Sequence, residues 1–462
     1  MPAIITKDFR IQNANQFSES FSESADTYYL AIGRPQAFAN DQAFNDGTDT
    51  SPPTPVDRVG SVDYYVYDDL LSAKKISSSN VSAVIPRRNW TTGTTYDYYR
   101  HDYGEINSAG STIAANSGAT TLHDATFYVM NSTFDVYKVI DNNGDSASTV
   151  EPTGNKSTSV FSTGDSYKWK YMYSLSASEQ ANFLSTDFMH VSTESTDYST
   201  TAGAIENAKV TAGGSGGTNG TYTNVDIRGD GSSGKATVVV SSNAVTSVTI
   251  TTAGSGYTFA SVLASDIGSV SGADIDFIIS PPGGHASDAV AELGGFFVMM
   301  NVDFATSESG EFNTSNDFRR IALLRNPTDS TTGSTATAST LDATKSMTFS
   351  GTPGSFQADE KITQASTGAV GFVVDFNSTT KVLRYIQPQF TNQGVDSNGN
   401  LTAFSSTNTV TGATSSATGT PSSHDITPEL TADSGDILYI ENRKPISRAS
   451  DQTENVKLIV EF

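Results

Sequence analysis

The stretch YKWKYMYSL (167–175) decides the fold class. Aromatic and polar residues alternate along it, so an extended chain places Tyr167, Trp169, Tyr171 and Tyr173 on one face and leaves the other to solvent. Similar runs recur along the chain: TYYLAIG (27–33), VDYYVYD (62–68), TFYVMN (126–131), FFVMMNVDF (296–304), DFRRIALL (317–324), DILYIEN (436–442) and VKLIVEF (456–462). Clusters of Gly, Asn, Asp, Ser and Pro cut them about every 8–12 residues, the rhythm of antiparallel sheets. Helical signals are few. KDFRIQNANQFSESFS (7–22) sets Phe17 and Phe21 one turn apart. ASEQANFLSTDF (177–188) spaces Ala181, Leu184 and Phe188 by three and four, with Ser176 and Glu179 in place for a capping box. The reading is a mainly β protein.

Composition narrows the function. The chain has 462 residues, enough for two to four domains. Lys and Arg total 27 against 50 Asp and Glu, a formal charge of −23, which argues against nucleic-acid binding because such a surface repels phosphate. The chain has no cysteine, which removes disulfides, thiol nucleophiles and thiolate metal sites. The longest apolar run, FFVMM (296–300), is far below the roughly 20 residues that span a bilayer. MPAIITKDFR (1–10) has no signal-peptide core. No membrane insertion is expected, and a soluble protein made inside the cell is.

Motifs that suggest chemistry read better as turns. GDGSSGKA (229–236) has phosphate-loop spacing, but Ala236 lacks the hydroxyl that holds Mg²⁺ and a strand pattern follows. GGSGG (213–217) fits a nucleophile elbow only formally, inside a glycine-dense stretch. His101, His123, His190, His285 and His424 show no helical metal spacing. DNNGD (141–145) and DSNGN (396–400) begin like calcium loops, yet Ser146 and Pro152 occupy the positions of the loop's Gly and bidentate Glu in the first. No catalytic residue, cofactor or metal site is read, and no enzyme is expected. IPRRNW (85–90) is different. Arg87 and Arg88 ahead of Trp90 suit either an interface anchor or a solvated turn. IENRKPI (440–446) poses the same choice.

Those segments also resemble a known family. AVIPRRNW (83–90) and GDILYIENRKPISRASDQTENVKLIVEF (435–462) resemble the β-sandwich baseplate wedge subunit, gene product eight, of T-even-type contractile-tailed bacteriophages. IITKDFR (4–10), YYLAIGRPQAF (28–38), GDSYKWKYMYSL (164–175) and FRRIALLRNP (318–327) follow in the family's order. The resemblance covers roughly residues 1–205, 290–328 and 425–462. It implies a structural virion protein of the tail baseplate, homodimeric and bound to other wedge proteins. It also implies a β-sandwich core from both ends of the chain (1–90 and 425–462), an inserted β-rich domain (91–205) and return strands (286–328). Two regions depart from the pattern. Residues 206–285 are rich in Gly, Ser and Thr, and VTAGGSGGTNGTYTN (210–224) echoes ITTAGSGYTFA (250–260). In 329–424, FQADEKITQASTGAVG (356–371) echoes FSSTNTVTGATSSATG (404–419) at an offset of 48. Both read as small all-β insertions in surface loops, which chain entropy tolerates. Arg87, Arg88, Trp90, Glu441, Asn442, Arg443, Asp451 and Gln452 are the expected contact or fold-defining residues. The rival reading is a carbohydrate- or receptor-binding tail protein acting through the inserted modules.

Overall fold

In the computed structural model, residues 5–38, 47–55, 66–107, 110–154, 156–192, 198–310, 312–388 and 394–462 are described. Strands hold 42% of the chain and helices 9%, in several antiparallel sheets, as the alternating runs required. The chain forms two compact units. The first comprises Met1–Gln16, Ser82–Met299 and Ile459–Phe462, the second Phe17–Val81 and Met300–Leu458. Among the described residues no helix is long and apolar enough to cross a membrane.

In the first unit the aromatic run forms strand Lys168–Ser174, between Asp135–Asp141 and Phe161–Ser162, with Tyr128–Met130 beyond. Two expectations fail here. The four rings do not share one face, and neither face is solvated. Val136 pairs with Tyr173 but Tyr137 pairs with Tyr171, so Met172 is the extra residue of a bulge and the alternation inverts. Trp169 and Tyr171 therefore pack with Tyr96, Tyr137 and Val139. Met172 and Tyr173 join a second core with Phe127, Tyr128 and Val136. Lys170 is fully buried, and its Nζ donates to the carbonyls of Ser157 (3.0 Å) and Tyr171 (2.9 Å).

Helix α1 (Lys7–Ser20) lies where the spacing placed it. Its Arg10 stacks 3.5 Å over the Phe296 ring and pairs with Glu461 at 2.5 Å, which ties the N-terminal turns to the C-terminus within this unit. Helix α2 (Ala177–Phe183) has the expected capping box: Ser176 Oγ accepts the Glu179 N–H, and Glu179 Oε2 accepts the Ser176 N–H at 2.7 Å. It stops five residues early because Phe188–His190 is a strand, paired with Val84, Ile85 and Pro86. A short helix α3 (Ala289–Leu293), capped by Asp288 and closed by left-handed Gly294, was not foreseen. Of VDYYVYD, residues 62–65 lie outside the described residues, and Tyr67–Asp69 is a 3-10 turn ahead of strand Leu70–Ile76. Residues 205–279 form paired strands around their own core, which includes Val225, Val238, Tyr257 and Phe277. GDGSSGKA lies in that part as turn and strand: Lys235 opens strand Lys235–Ser241 and pairs with Asp226.

The second unit holds a five-stranded antiparallel sheet in the order Thr340–Asp342, Leu70–Ile76, Tyr28–Gly33, Phe318–Arg325, Asp436–Ile446. Tyr29, Ala31, Ala322 and Leu324 lie in its core. A seven-stranded sheet lies within residues 345–425 and explains the second sequence echo. Its repeats are two hairpins, Lys361–Gln364 with Ala369–Asn377 and Val410–Gly412 with Thr418–Gly419. They meet along Lys361–Gln364 and Val410–Gly412, where Thr363 opposes Thr411, its own counterpart at offset 48. The repeats are thus related by a local two-fold centred on that pair. Phe356 and Phe404, Ile362 and Val410, and Ala369 and Ala417 fill equivalent places in one core. The Glu360 carboxylate, 4% exposed, accepts from the N–H groups of Gln357 (2.8 Å), Thr414 (3.0 Å) and Ser415 (2.9 Å) and from the Ser415 hydroxyl (2.7 Å). Gly412 is required beside it, because a Cβ there would sit 2.6 Å from Glu360 Oε1.

Candidate interaction surface

The segment after strand Val81–Pro86 runs beside Tyr128–Met130. The Arg88 carbonyl accepts the Met130 N–H at 2.7 Å, and the Trp90 N–H donates to the Met130 carbonyl at 2.9 Å. The side chains then turn inward. Arg88 lies 4.7 Å over the Tyr128 ring and donates to the carbonyls of Ala125 and His123. Arg87 donates to the Ser185 carbonyl (2.7 Å) and to Asn89 Oδ1 (3.0 Å). Trp90 donates Nε1–H to Ser148 Oγ at 3.1 Å and packs against the Tyr96–Trp169 core. All three sites bind their own unit.

The other five predicted residues lie in the second unit. Asn442 is internal wiring. Its Oδ1 accepts from Arg320 Nε (3.0 Å), and its Nδ2 donates to the Pro53 carbonyl (3.0 Å). Arg320 in turn holds the buried Asp69 carboxylate at 2.9 Å. Glu441 and Arg443 form a partly exposed ion pair at 3.6 Å, and Tyr439 Oη donates to Glu441 at 3.0 Å. Asp451 and Gln452 are exposed in the turn before strand Thr453–Glu461. The Gln452 backbone closes it, with its N–H on the Ala449 carbonyl (3.1 Å) and its carbonyl on the Thr306 N–H (3.2 Å). The structure thus groups Glu441 with Arg443 and Asn442 with Arg320, and it separates Asp451 and Gln452 from both. Arg448, one turn away in the same run, was not singled out. It is buried, pairs with Glu454 at 2.8 Å and donates to the carbonyls of Thr306, Phe312 and Asn313.

Strand Asp436–Ile446 is the outermost of its sheet. Its inner neighbour Phe318–Arg325 is buried except at Arg325, whereas six of its own eleven residues are exposed and none is buried. Leu438 (44% exposed) and Tyr439 (36%) present an apolar patch between Asp436 on one side and Arg443 and Lys444 on the other. The opposite edge of the sheet ends in the three-residue strand Thr340–Asp342. Among the described residues no strand covers the outer side of Asp436–Ile446, whose Arg443, Lys444 and Pro445 guard one end and leave Leu438 and Tyr439 open.

One polar array has the composition of a hydrolase triad. Ser82 Oγ lies 2.7 Å from His190 Nδ1, and Glu179 Oε1 lies 3.2 Å from His190 Nε2. Each member also has a structural task. Ser82 Oγ is within 3.0 Å of its neighbour Ala83's carbonyl, and Glu179 caps α2. Burial pushes His190 below its usual value despite Glu179. The array pins α2 to the Val81–Pro86 strand. No spacing signal could have found it, because its members are remote in the chain.

Residues 3–146 match the family model described as Phage-Gp8: Bacteriophage T4, Gp8. No curated protein matches the chain. The match includes IITKDFR, YYLAIGRPQAF and AVIPRRNW and does not extend to the other stretches that carried the resemblance, 164–175, 318–327 and 435–462.

Proposed function

We propose that a chain similar to T4 Gp8 over residues 3–146 works as a rigid, non-catalytic adaptor of the tail baseplate wedge, homodimeric and joined to neighbouring wedge proteins. The family match carries the reading. The long open edge at Asp436–Ile446 supports it and supplies a surface for the dimer. Antiparallel pairing of this strand with its copy about Ile440 sets Asp436 opposite Lys444 and Tyr439 opposite Glu441. Opposite charges and a hydrogen-bonding pair then fall in register, as a self-complementary two-fold contact needs. Arg443 remains for a second wedge protein. Arg87, Arg88, Trp90 and Asn442 keep the sheets stiff enough for the baseplate to change by rigid-body movement. Sedimentation tests the dimer. Leu438→Glu should yield a folded monomer, whereas an unchanged dimer would remove this edge from the account.

A further inference from the structure

Within the second unit a pocket of 330 Å³ opens where the 345–425 sheet meets the loop 426–432 and the Tyr67–Asp69 turn. That volume is at the small end of ligand pockets, which run about 300–1,000 Å³. Its polar groups are unusual. Tyr385 is fully buried, yet its Oη has no hydrogen-bond partner, and the buried Oγ1 of Thr431 has none either. Buried hydroxyls are normally paired. Lys345 brings an ammonium whose hydrogen-bond partner is the neutral Gln387 Oε1 at 3.2 Å, so donors remain for another group. Gln387 is fixed, because its Nε2 donates to the carbonyls of Val370 (3.1 Å) and Thr402 (3.0 Å). Asp68 also lines the pocket, so the formal charges of Lys345 and Asp68 cancel. Leu430 and the half-exposed Ile426 give it an apolar wall and rim.

We infer that this pocket binds a neutral polyhydroxyl ligand the size of one sugar ring. The chemistry rules out the other classes in turn. An anion meets Asp68 and a strongly acidic chain. A metal ion meets the Lys345 ammonium. A purely apolar molecule would leave the Tyr385 and Thr431 hydroxyls unpartnered. A sugar hydroxyl donates and accepts at once, as both orphaned groups require, and the C–H face of a ring suits Leu430 and Ile426. Burial, with the Asp425 charge, raises the Tyr385 phenol, so it stays protonated and able to donate at neutral pH. The inference stands apart from the wedge role and does not depend on it.

The test uses the full chain and saturation-transfer NMR with glucose, galactose and N-acetylglucosamine, their methyl glycosides, and glucuronate. At least one neutral sugar should bind saturably with a Kd on the order of 1 mM, typical of so small a ligand. Tyr385→Phe and Thr431→Val should each weaken binding about tenfold or more without lowering the unfolding temperature, because neither hydroxyl supports the unliganded fold. Binding of the methyl glycosides would mark a glycan end as the source, and binding of the free sugars alone a soluble sugar. The inference is overturned if no sugar binds saturably, if only glucuronate binds, or if the double variant binds like the parent.

Discussion

Removing one partner of the Lys138–Glu292 pair should destabilise the first unit more than any surface change. Lys138 is 0% and Glu292 2% exposed by side chain, and the two are in direct contact. Breaking such a pair leaves an uncompensated buried charge, at about 3–5 kcal/mol. The two halves differ. If Lys138 is replaced by Met, Glu292 keeps the N–H groups of Ala286 (3.0 Å), Ser287 (2.9 Å) and Asp288 (3.2 Å), so the cost should lie near 3 kcal/mol. If Glu292 is replaced by Ala, those three donors are orphaned, and Lys138 is left facing the Tyr99 ring at 4.8 Å beside Lys170, its strand partner. That loss should reach about 5 kcal/mol. Burial already pushes Lys138 below the usual lysine range against the pull of Glu292. Both tryptophans, Trp90 and Trp169, lie in this unit, so their fluorescence follows its unfolding selectively. With a urea slope of about 3 kcal/mol/M, the midpoint should fall by about 1 M for Lys138→Met and more for Glu292→Ala. Equal shifts, or shifts under about 0.3 M, would refute the buried pair as described.

Glu360→Ala should cost about 2–3 kcal/mol by orphaning the donors of Gln357, Thr414 and Ser415, read as faster hydrogen exchange over 410–419. Burial raises the Glu360 carboxyl, but those hydrogen bonds outweigh it and hold it below the usual range, so the support it gives is present above the ordinary Glu value and is lost as pH falls below it. Asn442→Ala should cost about 1–3 kcal/mol through Arg320 and Pro53, while Arg443→Ala stays within about 0.5, as thermal scans would report. Burial, helped by nearby cations, pushes His123 down to about 4, so stability is full above 6.5 and falls as pH drops from 6.5 towards 4. Burial and Lys138 push Lys170 down to about 8, so its penalty is relieved as pH rises from 8 towards 10.5. Tryptophan-monitored urea titrations across pH should show both slopes, and His123→Leu should flatten the acid one. Ser82→Ala should change no esterase activity above background, and a hydrolysis lost with that serine would mark the Ser82–His190–Glu179 array as catalytic.

Local pattern was the legible part of the sequence. The strand runs at 28–33, 318–325 and 436–446 follow from β-branched and aromatic residues between turn formers, and the Ser176–Glu179 capping box needed only its spacing. The echo at offset 48 marked a real repeat, because its matching positions are those that fill one core. What failed was long-range. One extra residue, Met172, reversed the faces of Lys168–Ser174, and a bulge depends on the partner strand as much as on its own. Lys170 in that strand and Lys138 in its neighbour looked solvent-facing, because nothing local announces the Ser157 carbonyl that holds the one or Glu292, 154 positions away, that holds the other. Arg87, Arg88 and Asn442 were read as contact or fold-defining residues; within their own units Arg87 and Arg88 hold backbone carbonyls and Asn442 holds Arg320, a choice that residue type alone leaves open. The open edge at 436–446 was hidden for the same reason, since edge position is a property of the sheet.

Sedimentation of the purified chain, alone and mixed with the other wedge proteins of its phage, tests the structural role most directly. The account predicts a dimer that enters the mixed particle in fixed stoichiometry. A chain that sediments as a monomer and stays apart from the assembled wedge would contradict it.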